Sequence, residues 1–113
     1  EHADEIVFAE FLVSEDPLPH QKEFCELFRK TNNASPKAFE AAGWDAVHIL
    51  AKALAAAGPD AKAEALSAAI RGPYQGVLAA YNFSAPDMTG IALSSYTYSK
   101  LVKGKFTRLP FVN

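Results

Sequence analysis

A chain of 113 residues, half of them apolar and 21% charged, with a net charge of −2, has the make-up of one globular domain with a single core. Acids and bases are mixed along it without a basic stripe, which argues against nucleic acid as a partner. No apolar run reaches the roughly 20 residues that span a bilayer, and the lone cysteine, Cys25, excludes an intrachain disulfide and a cysteine-built zinc site.

The chain opens on Glu1, and a strand-like run starts within a few residues. A trimmed or excised chain with sequence upstream of it is therefore expected. IVFAEFLV (6–13) is branched and aromatic with one charge, Glu10, and predicts a nearly fully buried strand of the parallel-sheet kind. SEDPLP (14–19) is a connector. From His20 to Lys30, Phe24, Leu27 and Phe28 recur at helical spacing, with Cys25 as a small buried residue among them.

TNNASP (31–36) ends that helix and starts another, with Ser35 as N-cap and Pro36 in the first turn. On a helical wheel Phe39, Gly43, Ala46, Val47, Leu50 and Leu54 share one face, predicted to be the buried one. Glu40, Trp44, His48 and Lys52 fall opposite. Gly58-Pro59 stops this helix, Asp60 caps a third, alanine-rich one, and Gly72-Pro73 ends that. GVLAAYNF (76–83) predicts a strand and SAPDMTG (84–90) a loop. SSYTYSKLV (94–102) and KFTRL (105–109) flank Lys103-Gly104, a two-residue hairpin turn. The order strand, three helices, strand, hairpin is an α/β layout.

Little in the chain points to catalysis. Asp45 and His48 are three residues apart and could pair on one helix face, but no nucleophile or cleft motif accompanies them, and a solvent-facing pair is the simpler expectation. His2, His20 and His48 lack metal-ligand spacing, the glycines are scattered singly, and no cofactor motif is present. The sequons at Asn33 and Asn82 are short enough to arise by chance. Ser14 and Asp16 follow the carboxyl end of a strand, where open α/β sheets bind ligands, and could form either a ligand site or a polar connector with no ligand. Phe39, in the first turn of its helix, could form either core or an apolar pocket wall.

Four stretches in this order carry a resemblance: EDPLPHQKEFCELFRK, AFEAAGWDAVHILAKALAAAG, IRGPYQGVLAAYNFSAPDMTGI and YTYSKLVKGKFTRL. The chain resembles the C-terminal part of a type 1 periplasmic solute-binding protein of the branched-chain amino acid (Leu/Ile/Val-binding) family, across nearly its whole length. The resemblance implies part of a two-lobed α/β fold in which a small ligand is trapped by lobe closure. It places 1–15 and 94–113 in the C-terminal lobe and 16–93 in the N-terminal lobe, and it puts Phe39 at the side-chain end of the ligand, with Ser14 and Asp16 as a polar rim. The role implied is non-enzymatic: the substrate-binding component of an ABC-type uptake system for amino acids or related small carboxylates, aromatic acids among them. Such a protein works in the periplasm, or outside the cell held at the membrane by its partner, and hands its ligand to a membrane permease. The alternative is a ligand-sensing regulatory domain on the same fold. Met88 stands where the family often has histidine, and Trp44 where it has tyrosine. The chain itself is expected to bind its missing upstream fragment or to pair as a homodimer, because its apolar strands and helix stripes would otherwise lie open.

Overall fold

The structure is a computed structural model and describes residues 6–84, 86 and 89–110. His2 and Met88 lie outside the described residues. In chain order the elements are β1 (Val7–Glu10), a short 3₁₀ turn (Pro19–Gln21), α1 (Lys22–Asn32), α2 (Ala38–Ala57), α3 (Ala63–Ile70), β2 (Pro73–Gln75), β3 (Ala80–Asn82), a second 3₁₀ turn (Leu93–Ser95), β4 (Thr97–Val102) and β5 (Lys105–Arg108). The result is a mixed α/β architecture with two small antiparallel sheets, ordered β1-β4-β5 and β2-β3.

Local chemistry explains most boundaries. Asn33 takes a left-handed conformation, φ 52°, and its N–H donates to Arg29 O at 2.9 Å, closing α1. α2 starts at Ala38, two residues later than a Ser35 cap would put it. Ser35 Oγ is engaged by Arg29 Nε at 3.3 Å, and the Lys37 N–H is capped instead by Glu40 Oε2 at 3.0 Å. Gly58 ends α2 with φ 92°, and α3 is capped at Lys62 and not at Asp60. Lys103 and Gly104, with φ 51° and 79°, make the two-residue turn that joins β4 to β5.

Three expectations change. The strand foreseen at 6–13 pairs only over Val7–Glu10, and antiparallel to β4 (Val7 opposite Lys100, Glu10 opposite Thr97). It lies at the edge of its sheet with alternating exposure, and Ile6 and Val7 are about half exposed. Phe11 to Val13 leave the sheet to enter the core, so a continuous apolar run here reports two environments and not one buried strand. The stretch 76–83 is likewise not one strand: 76–79 is a buried turn, and β3 pairs back on β2, Tyr74 opposite Tyr81.

The third change concerns α2. Its buried row is Ala41, Asp45 and Ala53, with Ile49 and Trp44 half-buried beside it. The stripe read as the core face points outward, with Phe39 90%, Val47 66%, Leu50 47% and Leu54 39% exposed. Small side chains let the helix approach its neighbours closely, which the large ones on the other side would prevent. The core gathers where the 11–13 connector, α1, α2 and the 76–79 turn meet: Leu12, Phe24, Cys25, Ala41, Val77, Leu78, Ala79 and Tyr81. Burial raises the Cys25 thiol above its ordinary value, outweighing the opposing pull of Arg29, so it stays a protonated core thiol at neutral pH. No helix among the described residues is long and apolar enough to cross a membrane.

Candidate functional site

Asp45 is 1% exposed and faces inward from the middle of α2. Its carboxylate accepts the backbone N–H groups of Val77 at 2.7 Å and Leu78 at 2.8 Å, and the Tyr81 hydroxyl at 3.0 Å. From the other side, Gln21 Nε2 donates to Val77 O and Phe11 O, both at 2.9 Å, while Gln21 Oε1 accepts the Leu18 N–H at 3.0 Å. Two buried side chains thus satisfy the backbone of the 76–79 turn, which pairs with no strand. Gly76 is needed there: a Cβ would lie 2.3 Å from Asp45 Oδ2 and 2.7 Å from the Tyr81 ring. The Asp45–His48 pairing and the solvent-facing Asp45 are both ruled out. His48 is exposed, stacks on Trp44 with ring centroids 4.5 Å apart, and donates from Nδ1 to Trp44 O at 2.9 Å.

This network has an alkaline signature. The Tyr81 hydroxyl is pushed well above its ordinary value by burial first, then by the charge and hydrogen bond of Asp45; Tyr74 moves the same way, by burial and then Asp45. Because the folded-state value exceeds the unfolded one, the contribution is complete below the unfolded value and is lost as pH rises from about 10 towards the folded value. Urea midpoints should therefore fall across that window, and Tyr81→Phe should flatten the fall. An unchanged slope would mean that Tyr81 titrates freely in the folded chain.

A second junction joins the strand end to the start of α2. Ser14 is buried, its hydroxyl donates to Pro36 O, and Arg29 Nη2 donates to Ser14 O. Arg29 also holds Ser35, so one guanidinium braces both the 14–16 turn and the entry to α2. Between these segments and the sheet lies a cavity of about 450 Å³. Ser14, Phe39, Lys37 and Phe11 line it from the connector and α2, and Glu10 and Phe106 from the sheet. Glu10 is held by the buried Ser99, whose hydroxyl donates to Glu10 Oε1. The Phe106 ring is set edge-on against Phe8, with centroids 5.3 Å apart. Volume and lining suit a small molecule with an apolar end.

Of the three candidate residues, Ser14 and Phe39 line this cavity. Asp16 does not. It turns to the opposite side and meets Arg108 Nη2 at 3.6 Å in a second cavity of about 500 Å³. Arg29, Lys37 and Phe106 escaped the sequence reading: Arg29 reaches Ser14 and Phe106 meets Phe8, partners distant in sequence, and only the position of Lys37, two residues before Phe39, offered a local cue. Among the described residues, no group of three or more His, Cys, Asp or Glu could hold a metal ion.

The fold, three helices with two antiparallel sheets, matches part of the type 1 periplasmic-binding-protein fold. Over 95% of its length the chain matches the structure of an ABC transporter substrate-binding protein from Desulfitobacterium hafniense in complex with Leu, at 28% identity and a TM-score of 0.73. It matches a putative branched-chain amino acid ABC transporter from Rhodospirillum rubrum over the same share, at 28% identity and a TM-score of 0.75. The chain spans about a third of these proteins, 32% and 31% respectively. No protein-family model and no curated protein matches the sequence.

Proposed function

We propose that the chain forms part of the substrate-binding component of an ABC-type uptake system for amino acids or related small carboxylates, aromatic acids among them, acting without catalysis in the periplasm or at the outer face of the membrane. The observation that carries this reading is the cavity lined by Ser14 and Phe39. It draws Glu10 and Phe106 from the β1-β4-β5 sheet and Lys37 and Phe39 from the start of α2. The grouping of β1 with β4 and β5, apart from the helices, supports assigning 1–15 and 94–113 to one lobe and 16–93 to the other. A ligand touching both walls would favour the closed arrangement by its differential affinity for it, and a membrane permease would read that shape.

The outward stripe of Phe39, Val47, Leu50 and Leu54 calls for a cover. In this reading the remaining two-thirds of the binding-protein fold supplies it, and a second copy substitutes when the chain is alone. Calorimetric titration of the full-length binding protein with leucine, phenylalanine, benzoate and glutamate tests the function, with small-angle scattering to follow compaction. Saturable binding of at least one with a smaller radius of gyration is expected. No binding, or binding without compaction, overturns closure as the mechanism.

A further inference from the structure

We infer that Arg29 is a positioning residue for ligand binding: without touching the ligand, it fixes two walls of the Phe39 cavity against each other and so sets the affinity. Its role rests on the reading of that cavity as the ligand site. The two walls come from stretches about 20 residues apart. One is the end of β1 with the connector after it, bringing Glu10, Phe11 and Ser14; the other is the entry to α2, bringing Pro36, Lys37 and Phe39. One stretch leaves a sheet and the other starts a helix, and among the described residues no strand pairing joins them.

Hydrogen bonds join them instead, and Arg29 supplies most of these. Its Nη2 donates to Ser14 O on the first wall, and its Nε donates to Ser35 Oγ on the second, at 3.3 Å. The Ser14 hydroxyl then crosses directly to Pro36 O. Ser14 and Pro36 are both buried, so this junction lies inside the fold. With its proton committed to Pro36 O, Ser14 serves the cavity through the shape it enforces and not as a donor to the ligand. Arg29 does not line the cavity. It stands in the last turn of α1, where its own carbonyl accepts the Asn33 N–H at 2.9 Å, so the helix end anchors the guanidinium. A guanidinium is planar and holds its N–H groups in a rigid fork, so the place of one acceptor dictates that of the other. Lysine could reach either acceptor but would fix no angle between them. Phe39 is what depends on this brace. Its side chain is 90% exposed, so little packing of its own holds the ring towards Phe11 and Phe106. A wall already in place spares the ligand the cost of ordering it.

Calorimetric titration of the full-length binding protein with leucine, phenylalanine, benzoate and glutamate reads the effect on whichever of them the unaltered protein binds. Arg29→Met keeps the stem and removes every donor. Affinity should fall about tenfold, the order of one lost charge-assisted hydrogen bond, and Arg29→Lys should recover only part of it. A purely stabilising residue would lower the melting temperature and leave the affinity of the folded protein alone, so a double-mutant cycle with Phe39→Ala decides the role. In the Arg29→Met background, Phe39→Ala should cost at least about threefold less affinity than in the unaltered protein, because the ring is no longer held. Equal factors in the two backgrounds overturn the inference, as does unchanged affinity in Arg29→Met. If Arg29→Met does not fold, Arg29→Lys carries the same cycle; failure of both to fold assigns Arg29 to stability and overturns it as well. An unaltered protein that binds none of the four removes the functional reading and this role with it. Binding by the unaltered protein with no effect of Arg29 removes this role alone.

Discussion

Asp45→Ala is expected to be the most destabilising single change in this chain, costing about 4 kcal/mol, as several buried hydrogen-bonding groups lose their partner at once. The carboxylate is the acceptor for two backbone N–H groups and one hydroxyl, at 2.7, 2.8 and 3.0 Å, all enclosed. Alanine leaves the Val77 N–H and Leu78 N–H without their carboxylate acceptor. Asp45→Asn separates geometry from charge. One amide oxygen can still serve Val77, and Tyr81 can rotate its hydroxyl to accept, but the amide NH₂ then faces the Leu78 N–H. Its cost should fall near half that of alanine. Urea denaturation followed by Tyr and Trp fluorescence measures both. Equal, small losses for the two variants would show that the turn is held by Gln21 and apolar packing alone.

The same residue shows where sequence reasoning stops. Signals that act within a few residues were legible: Gly58 with its positive φ, and Lys103-Gly104, whose left-handed conformations the hairpin needs. The position after a strand end brought Ser14 to notice, and the resemblance added the two-lobed fold and a ligand-facing place for Phe39. The wheel for α2 ranked residues by hydrophobicity, and so placed the core on the side of Leu50 and Val47. Burial depends on which face finds a partner, and the partner of Asp45 lies 32 residues away. An aspartate in a row with Ala41 and Ala53 looks polar until the backbone it caps is known. Apolar runs misled for a related reason: in 6–13 and in 76–83 a short pairing segment continues into a turn or connector whose backbone is satisfied by side chains. Ser14 and Asp16 both follow the strand end, with only Glu15 between them, and so suggest one site. The turn between them sends the two side chains to different cavities, which no spacing reveals.

The second large effect concerns binding and not folding. Phe39 is 90% exposed although it belongs to the first turns of a helix whose inner row is well packed, and its ring forms part of the cavity wall with Phe11 and Phe106. A ring left in water gains nothing for the free protein, but covering it with a ligand's apolar end recovers roughly 1.5–3 kcal/mol. Phe39→Ala in the full-length binding protein should therefore weaken ligand affinity by about 10- to 100-fold. The melting temperature of the unliganded form should hardly change, since the side chain contributes little buried area in this chain. Phe39→Leu, which keeps an apolar surface, should restore most of the affinity for an aliphatic ligand and less for an aromatic one, because only the ring can stack. Calorimetry on the three proteins, with thermal melts in the absence of ligand, reads both quantities. A steep fall in the unliganded melting temperature would assign Phe39 to packing against the rest of the fold. Unchanged affinity in Phe39→Ala would move the ligand out of this cavity altogether.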